Sequence, residues 1–138
     1  MAYKKDTICV QGGYRPQSGE SRIPPVAQST TFFYGSTQAM ADLFDLKSDG
    51  YFYSRLANPT VAAFENKVAE LEGGVAAIGC ASGMSATTLM AFTLCGAGDN
   101  IVSSSAIYGG SFNLFAVTLP KLGIETRFFD PDAPAEEI

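Results

Sequence analysis

No histidine occurs among the 138 residues. That absence excludes a His-based zinc site, a Ser/His/Asp triad and a Cys/His dyad built from this chain alone. Cysteine is scarce: Cys9, Cys80 and Cys95 are odd in number and widely spaced, with no C-x-x-C pair. Neither a disulfide framework nor a thiolate metal site fits that spacing, so no metal is expected, and free thiols suit a reducing cytoplasm. Positive charge is also short. Nine Lys and Arg against fourteen Asp and Glu leave a formal charge of −5, too acidic to neutralise a row of phosphates. Neither nucleic acid nor an anionic membrane is an expected partner. The first residues are basic, but Gly, Arg and Pro follow where a signal peptide carries its apolar core.

What is present reads as an ordinary globular α/β chain: 46% apolar and 17% charged residues, with 14 Gly and 7 Pro. One stretch, Gly73–Gly98, carries no charge over 26 positions and so has the length of a membrane span. Gly79, Ser82, Gly83, Ser85, Thr87, Thr88 and Thr93 interrupt it, which favours a buried strand, a turn and a buried helix run together.

Residues 1 to about 35 show no sustained period and read as an extended arm, which must lie on the rest of the domain or on a second subunit to be ordered. Ser36 or Thr37 can cap a short helix with Met40, Leu43 and Phe44 on one face. Asn58-Pro59 predicts a helix start, Val61, Phe64, Val68 and Leu71 its apolar stripe, and Gly73-Gly74 its left-handed stop. Strands are expected at Val75–Gly79, Ile101–Ser105 and Ile124–Phe129. A helix from Ser85 to about Cys95 and another carrying Phe112, Phe115, Ala116 and Leu119, kinked or ended by Pro120, fall between them. Alternation of this kind means right-handed crossovers and a mostly parallel sheet covered on both faces.

In open parallel sheets ligands collect at the carboxyl ends of the strands. Ala81-Ser82-Gly83-Met84 puts a hydroxyl, a close-approach glycine and the opening N–H groups of a helix there, which makes an anion cup. The same pattern also serves a plain βα turn with Ser as N-cap. No G-x-G-x-x-G and no P-loop lysine occurs, so the dinucleotide and Walker fingerprints fail and such a site is not expected. Ala106-Ile-Tyr108-Gly109-Gly110 presents an aromatic ring at the same edge; Tyr108 could stack on a flat ring and exchange a proton through its phenol, or pack on the core with its hydroxyl at the surface. Tyr53 and Arg55, two apart in an extended reading, form either a phosphate clamp or an ordinary half-buried Tyr beside an exposed Arg.

Tyr53-Ser-Arg-Leu-Ala-Asn-Pro-Thr60, Glu70-Leu-Glu-Gly-Gly74, Ala81-Ser-Gly-Met84, Gly98-Asp-Asn100 and Tyr108-Gly-Gly-Ser-Phe-Asn113 stand in one order. Together they resemble the Cys/Met-metabolism family of pyridoxal-phosphate enzymes, over about Gln11 to Asp130. Ala41–Leu46 and Tyr108-Gly-Gly look most like O-acetylhomoserine sulfhydrylases, while Ser82-Gly-Met also looks like methionine γ-lyases.

The resemblance implies an incomplete fold-type I large domain at residues 51–138, preceded by a subunit-contacting arm with a short helix at residues 1–50. It implies pyridoxal 5′-phosphate as cofactor, its phosphate held by Ser82, Gly83 and Met84. Tyr108 would stack on the ring and act at the leaving group. Tyr53 and Arg55 would reach the phosphate of a neighbouring subunit in a homodimer or homotetramer. The implied reaction is γ-replacement on O-acetylhomoserine by sulfide or a thiol. A methionine γ-lyase, a cystathionine-processing relative and a non-catalytic phosphate-binding or subunit-interaction module are the alternatives. The family's Schiff-base lysine matches no lysine here, so the chain is expected to be an N-terminal portion that is inactive alone.

Overall fold

A computed structural model describes residues 3–134 and residue 136. They fall into two compact units, Met1–Gly79 and Cys80–Ile138.

In the first unit, helix α3 (Pro59–Glu72) is the organising element. Asn58 caps it: the side-chain oxygen accepts from the N–H groups of Thr60 and Val61 at 2.9 and 3.4 Å, two of the donors that a helix start leaves orphaned. Its amide donates to the Ala27 carbonyl at 3.0 Å and to Ser54 Oγ at 2.9 Å, and the residue is only 8% exposed. One side chain therefore starts the helix and fastens the preceding strap to it. Pro59 occupies the first turn, and Gly73, at φ 68°, ends the helix in the left-handed region.

The stripe of Val61 and Phe64 stays exposed; the covered face is the small one, Ala63 and Ala69. Alanines there let backbone come close. Gly13, at φ +79°, lies so near that a Cβ would meet the Ala63 carbonyl oxygen, which only glycine permits. Ahead of it α1 (Lys5–Gln11), a helix absent from the sequence-based expectation, lies along α3, with Lys67 Nζ donating to the Cys9 carbonyl at 3.2 Å. The start of the arm thus rests on this chain's own helix. Further along, Thr60 Oγ donates to the Pro25 carbonyl and accepts from Ala27 N–H, both at 2.9 Å. Thr31 bridges antiparallel to Tyr53. Helix α2 (Thr37–Phe44) is capped by Ser36, which accepts from Ala39 N–H at 3.1 Å, and buries Leu43.

The expected strand at Val75–Gly79 does not form. This stretch has no ladder partner among the described residues, and Val75 and Ile78 are exposed. A strand is made by its neighbour's hydrogen bonds, not by its own residues.

In the second unit, α4 (Gly83–Leu94) leads through Gly96–Asp99 into β1 (Asn100–Ser104). Helix α5 (Gly109–Asn113) follows, then β2 (Glu125–Phe129), parallel to β1 with Ile101 opposite Thr126. The helical chain after α5 loosens into a π turn at Leu114–Thr118 and tightens into a 3₁₀ turn at Leu119–Leu122. Pro120 accounts for this: it has no N–H for the i−4 bond, and its ring collides with the carbonyl one turn back. Gly123, at φ +79°, then stops the turn.

Ala91, Leu114, Phe115, Leu119 and Ile124 form the core, with Met84, Cys95, Ile101, Ile107 and Phe128 packed on it. Helix α4 is apolar almost all round, yet only Ala91 is buried, and Leu89, Met90, Phe92 and Leu94 face outward. Buried in β2, Thr126 Oγ1 has no hydrogen-bond partner among the described residues. Thr126→Val keeps the β-branched shape and removes that orphan, so it should raise stability by about 1 kcal/mol, read as a higher urea midpoint at unchanged slope. No helix among the described residues is long and apolar enough to cross a membrane.

Candidate cofactor site

The β1–α5–β2 alternation gives the second unit two distinct edges. At the amino edge Gly98 N–H donates to the Gly123 carbonyl at 2.8 Å and Glu125 N–H to the Asp99 carbonyl at 3.1 Å. At the carboxyl edge Ser105 N–H donates to the Phe129 carbonyl at 2.8 Å. Because α4 runs into the amino end of β1, its own start lies toward the carboxyl edge, the edge from which the chain leaves β1 for Tyr108.

Ser82 caps α4 through Oγ, which accepts from Ser85 N–H at 3.1 Å and lies 2.9 Å from Ser85 Oγ. The Gly83 and Met84 N–H groups donate no hydrogen bond among the described residues, and nothing lies within 4 Å of where a Gly83 Cβ would stand. Two free donors, with open space where a Gly83 side chain would stand, at the positive end of a twelve-residue helix, fit a phosphate monoester.

Tyr108 immediately precedes α5 and is 74% exposed, so its ring is not part of the core. It stands beside the cup, not on the opposite rim: a Cβ on Gly110 would lie 2.5 Å from Tyr108 Cε1 and 3.2 Å from Met84 Sδ. Ser111 Oγ lies 3.9 Å from the same sulfur. Ser82, Gly83, Met84 and Tyr108 are thereby gathered at one end of the unit.

Tyr53 and Arg55 are also brought together, though not by an extended strand. After the bridge to Thr31 the chain turns, with the Leu56 and Ala57 N–H groups donating to the Tyr53 carbonyl at 2.9 and 3.1 Å. The turn sets the Arg55 guanidinium 5.4 Å from the centre of the Tyr53 ring, a cation–π contact that the two-residue spacing did not disclose. Both residues line a cavity of about 450 Å³ whose other walls include Phe32, Met40, Phe44 and Phe52.

The second unit holds one lysine, Lys121, in the 3₁₀ turn at the amino edge, away from the cup. Lys4, Lys5, Lys47 and Lys67 belong to the first unit.

The family model of Cys/Met metabolism PLP-dependent enzymes matches residues 6–137. The chain belongs to that family. Within this Cys/Met-metabolism family it is 45% identical over 130 residues to homocysteine synthase of Schizosaccharomyces pombe, covering 94% of this chain and 30% of the relative. It is 49% identical over 115 residues to O-acetyl-L-homoserine sulfhydrylase of Corynebacterium glutamicum, covering 83% of this chain and 26% of that one. A crystal structure named for O-acetylhomoserine (thiol)-lyase of Campylobacter jejuni superposes with a TM-score of 0.87 at 37% identity, over 95% of this chain and 32% of its own. That protein carries an N′-pyridoxyl-lysine 5′-monophosphate. The fold is accordingly part of a fold-type I α/β large domain. This family member spans about 30% of the length of the curated relatives it matches.

Proposed function

We propose that this chain is the N-terminal portion of a pyridoxal-phosphate-dependent γ-replacement enzyme that converts O-acetylhomoserine with sulfide or a thiol to homocysteine or methionine. The observation that carries the reading is the pair of free N–H donors at Gly83 and Met84 beside the exposed Tyr108 ring, in a chain 44–49% identical to sulfhydrylases. Pyridoxal 5′-phosphate, when bound, supplies an electron-withdrawing ring that acidifies the carbons of an amino-acid substrate.

The chain's own residues do the rest. Ser82, Gly83 and Met84 hold the phosphate. Tyr108 covers the ring and moves a proton at the departing γ substituent through its phenol oxygen. Residues 1–50 serve as the subunit-contacting arm and 51–138 as the first part of the large domain. Tyr53 and Arg55 reach the phosphate bound in a neighbouring subunit of a cytoplasmic homodimer or homotetramer, where the guanidinium gives bidentate contacts. The uncovered sides of α4 and of Val75–Ile78 support a fold finished by further chain.

Two assays test this. The 138 residues alone, treated with pyridoxal 5′-phosphate and borohydride, should form no stable adduct at the cup, since no lysine of their unit stands there. A longer protein containing this segment should turn over O-acetylhomoserine with sulfide and leave methionine alone untouched. Methionine breakdown without sulfide use would assign the γ-lyase reaction in its place. Failure of both substrates, with the cup intact, would favour a phosphate-binding module.

A further inference from the structure

Gly110 does not have its place for want of a backbone conformation: its φ lies outside the left-handed range, unlike those of Gly98 and Gly123. What it lacks is a side chain. A Cβ there would lie 2.5 and 3.2 Å from Tyr108 Cε1 and Cδ1 and 3.2 Å from Met84 Sδ, so the ring and the thioether both border the space it would take. Met84 is itself packed against the core and is steadied at the sulfur by Ser111 Oγ. It is also the second residue of α4, whose N–H opens into the cup.

We infer that Gly110 and the Met84 thioether form a seat for the Tyr108 ring, and that Met84, by donating its N–H to the cup and its sulfur to the seat, fixes the spacing between a bound anion and the plane of the aromatic ring. They are positioning residues. The inference rests on the cofactor reading above and adds to it a specificity device: a ligand must carry its flat ring at the distance from its phosphate that this one residue spans. Sulfur and ring faces or edges attract one another, so the thioether holds the ring while allowing it to slide in its plane. A methyl group at Gly110 would push the ring outward, and because the ring is exposed it can yield without unfolding the turn.

A longer protein containing this segment, stripped of any bound cofactor, is titrated as wild type, Gly110→Ala, Tyr108→Ala and the double variant, with two probes. Pyridoxamine 5′-phosphate has ring and phosphate but no aldehyde; inorganic phosphate reports the cup alone. Through-space NMR contacts between the Tyr108 ring and the Met84 methyl should be present in wild type and lost in Gly110→Ala. That variant should weaken pyridoxamine 5′-phosphate about tenfold and inorganic phosphate less than about twofold. In the Tyr108→Ala background the same substitution should change neither, because no ring remains to displace.

Absence of the ring–methyl contact in wild type would overturn the seat whatever the ligands do. Equal weakening of both probes, or weakening that persists without Tyr108, would make Gly110 a residue of the turn alone and would also overturn it. A contact that is present while neither probe binds would instead overturn the cofactor reading, and the positioning role with it.

Discussion

Replacing Leu119 by alanine should cost the second unit about 3 kcal/mol, the largest stability effect expected of a single truncation here. Leu119 is 0% exposed and sits where the π turn passes into the 3₁₀ turn, among Ala91, Leu114, Phe115 and Ile124. Its neighbours cannot close the gap. Pro120 fixes the backbone on one side, and Ile124 N–H donates to the Leu119 carbonyl at 3.1 Å on the other, so the cavity stays open. Hydrogen exchange is the direct reading: the Ser105 N–H, which closes the carboxyl edge, should exchange about a hundredfold faster. Leu122→Ala, three residues on and 50% exposed, should change it little. Equal effects at the two positions would mean that the core lies elsewhere.

Tyr108→Phe, made in a longer active protein containing this segment, should lower kcat about a hundredfold while leaving cofactor content unchanged. The reasoning separates two properties of one side chain. The ring remains seated over Gly110, so stacking persists, whereas the hydroxyl that moves the proton is gone. Tyr108→Ala should lose cofactor as well as turnover. Cofactor absorbance measured beside rate distinguishes the two, and full activity in Tyr108→Phe would remove the phenol from the reaction.

The parts of this fold that could be foreseen are the ones whose cause is local. Asn58, Ser36 and Ser82 each cap the helix that follows, and Gly73 ends one, because cap chemistry is decided within four residues. The strands Asn100–Ser104 and Glu125–Phe129 begin within one residue of expectation, set off by Gly96–Asp99 and Gly123.

What escaped depends on distant partners. Val75–Gly79 has strand composition and no neighbour. Helix α1 is held from far along the chain, with Lys67 of α3 donating to the Cys9 carbonyl and Gly13 passing close to the Ala63 carbonyl, and Val61 and Phe64, which periodicity marks as part of the covered side, are exposed. At the site, the common edge of Ser82 and Tyr108 followed from the strand–helix alternation. The Met84–Gly110 contact did not, since 26 positions of sequence separate its halves; two glycines directly after a tyrosine were the only trace. The turn that brings Arg55 over Tyr53 is hidden because a spacing of two fits an extended segment equally well.

The bare stretch at Val75–Ile78 has a colloidal side. It is apolar, exposed and unladdered among the described residues, and it lies in the run Gly73–Gly98, 26 residues with no charge to hold two copies apart. Such a segment is a template for edge-to-edge growth between molecules. Handled alone, the chain therefore carries its own nucleus for precipitation, and whatever shields those four residues governs its shelf life as much as its shape.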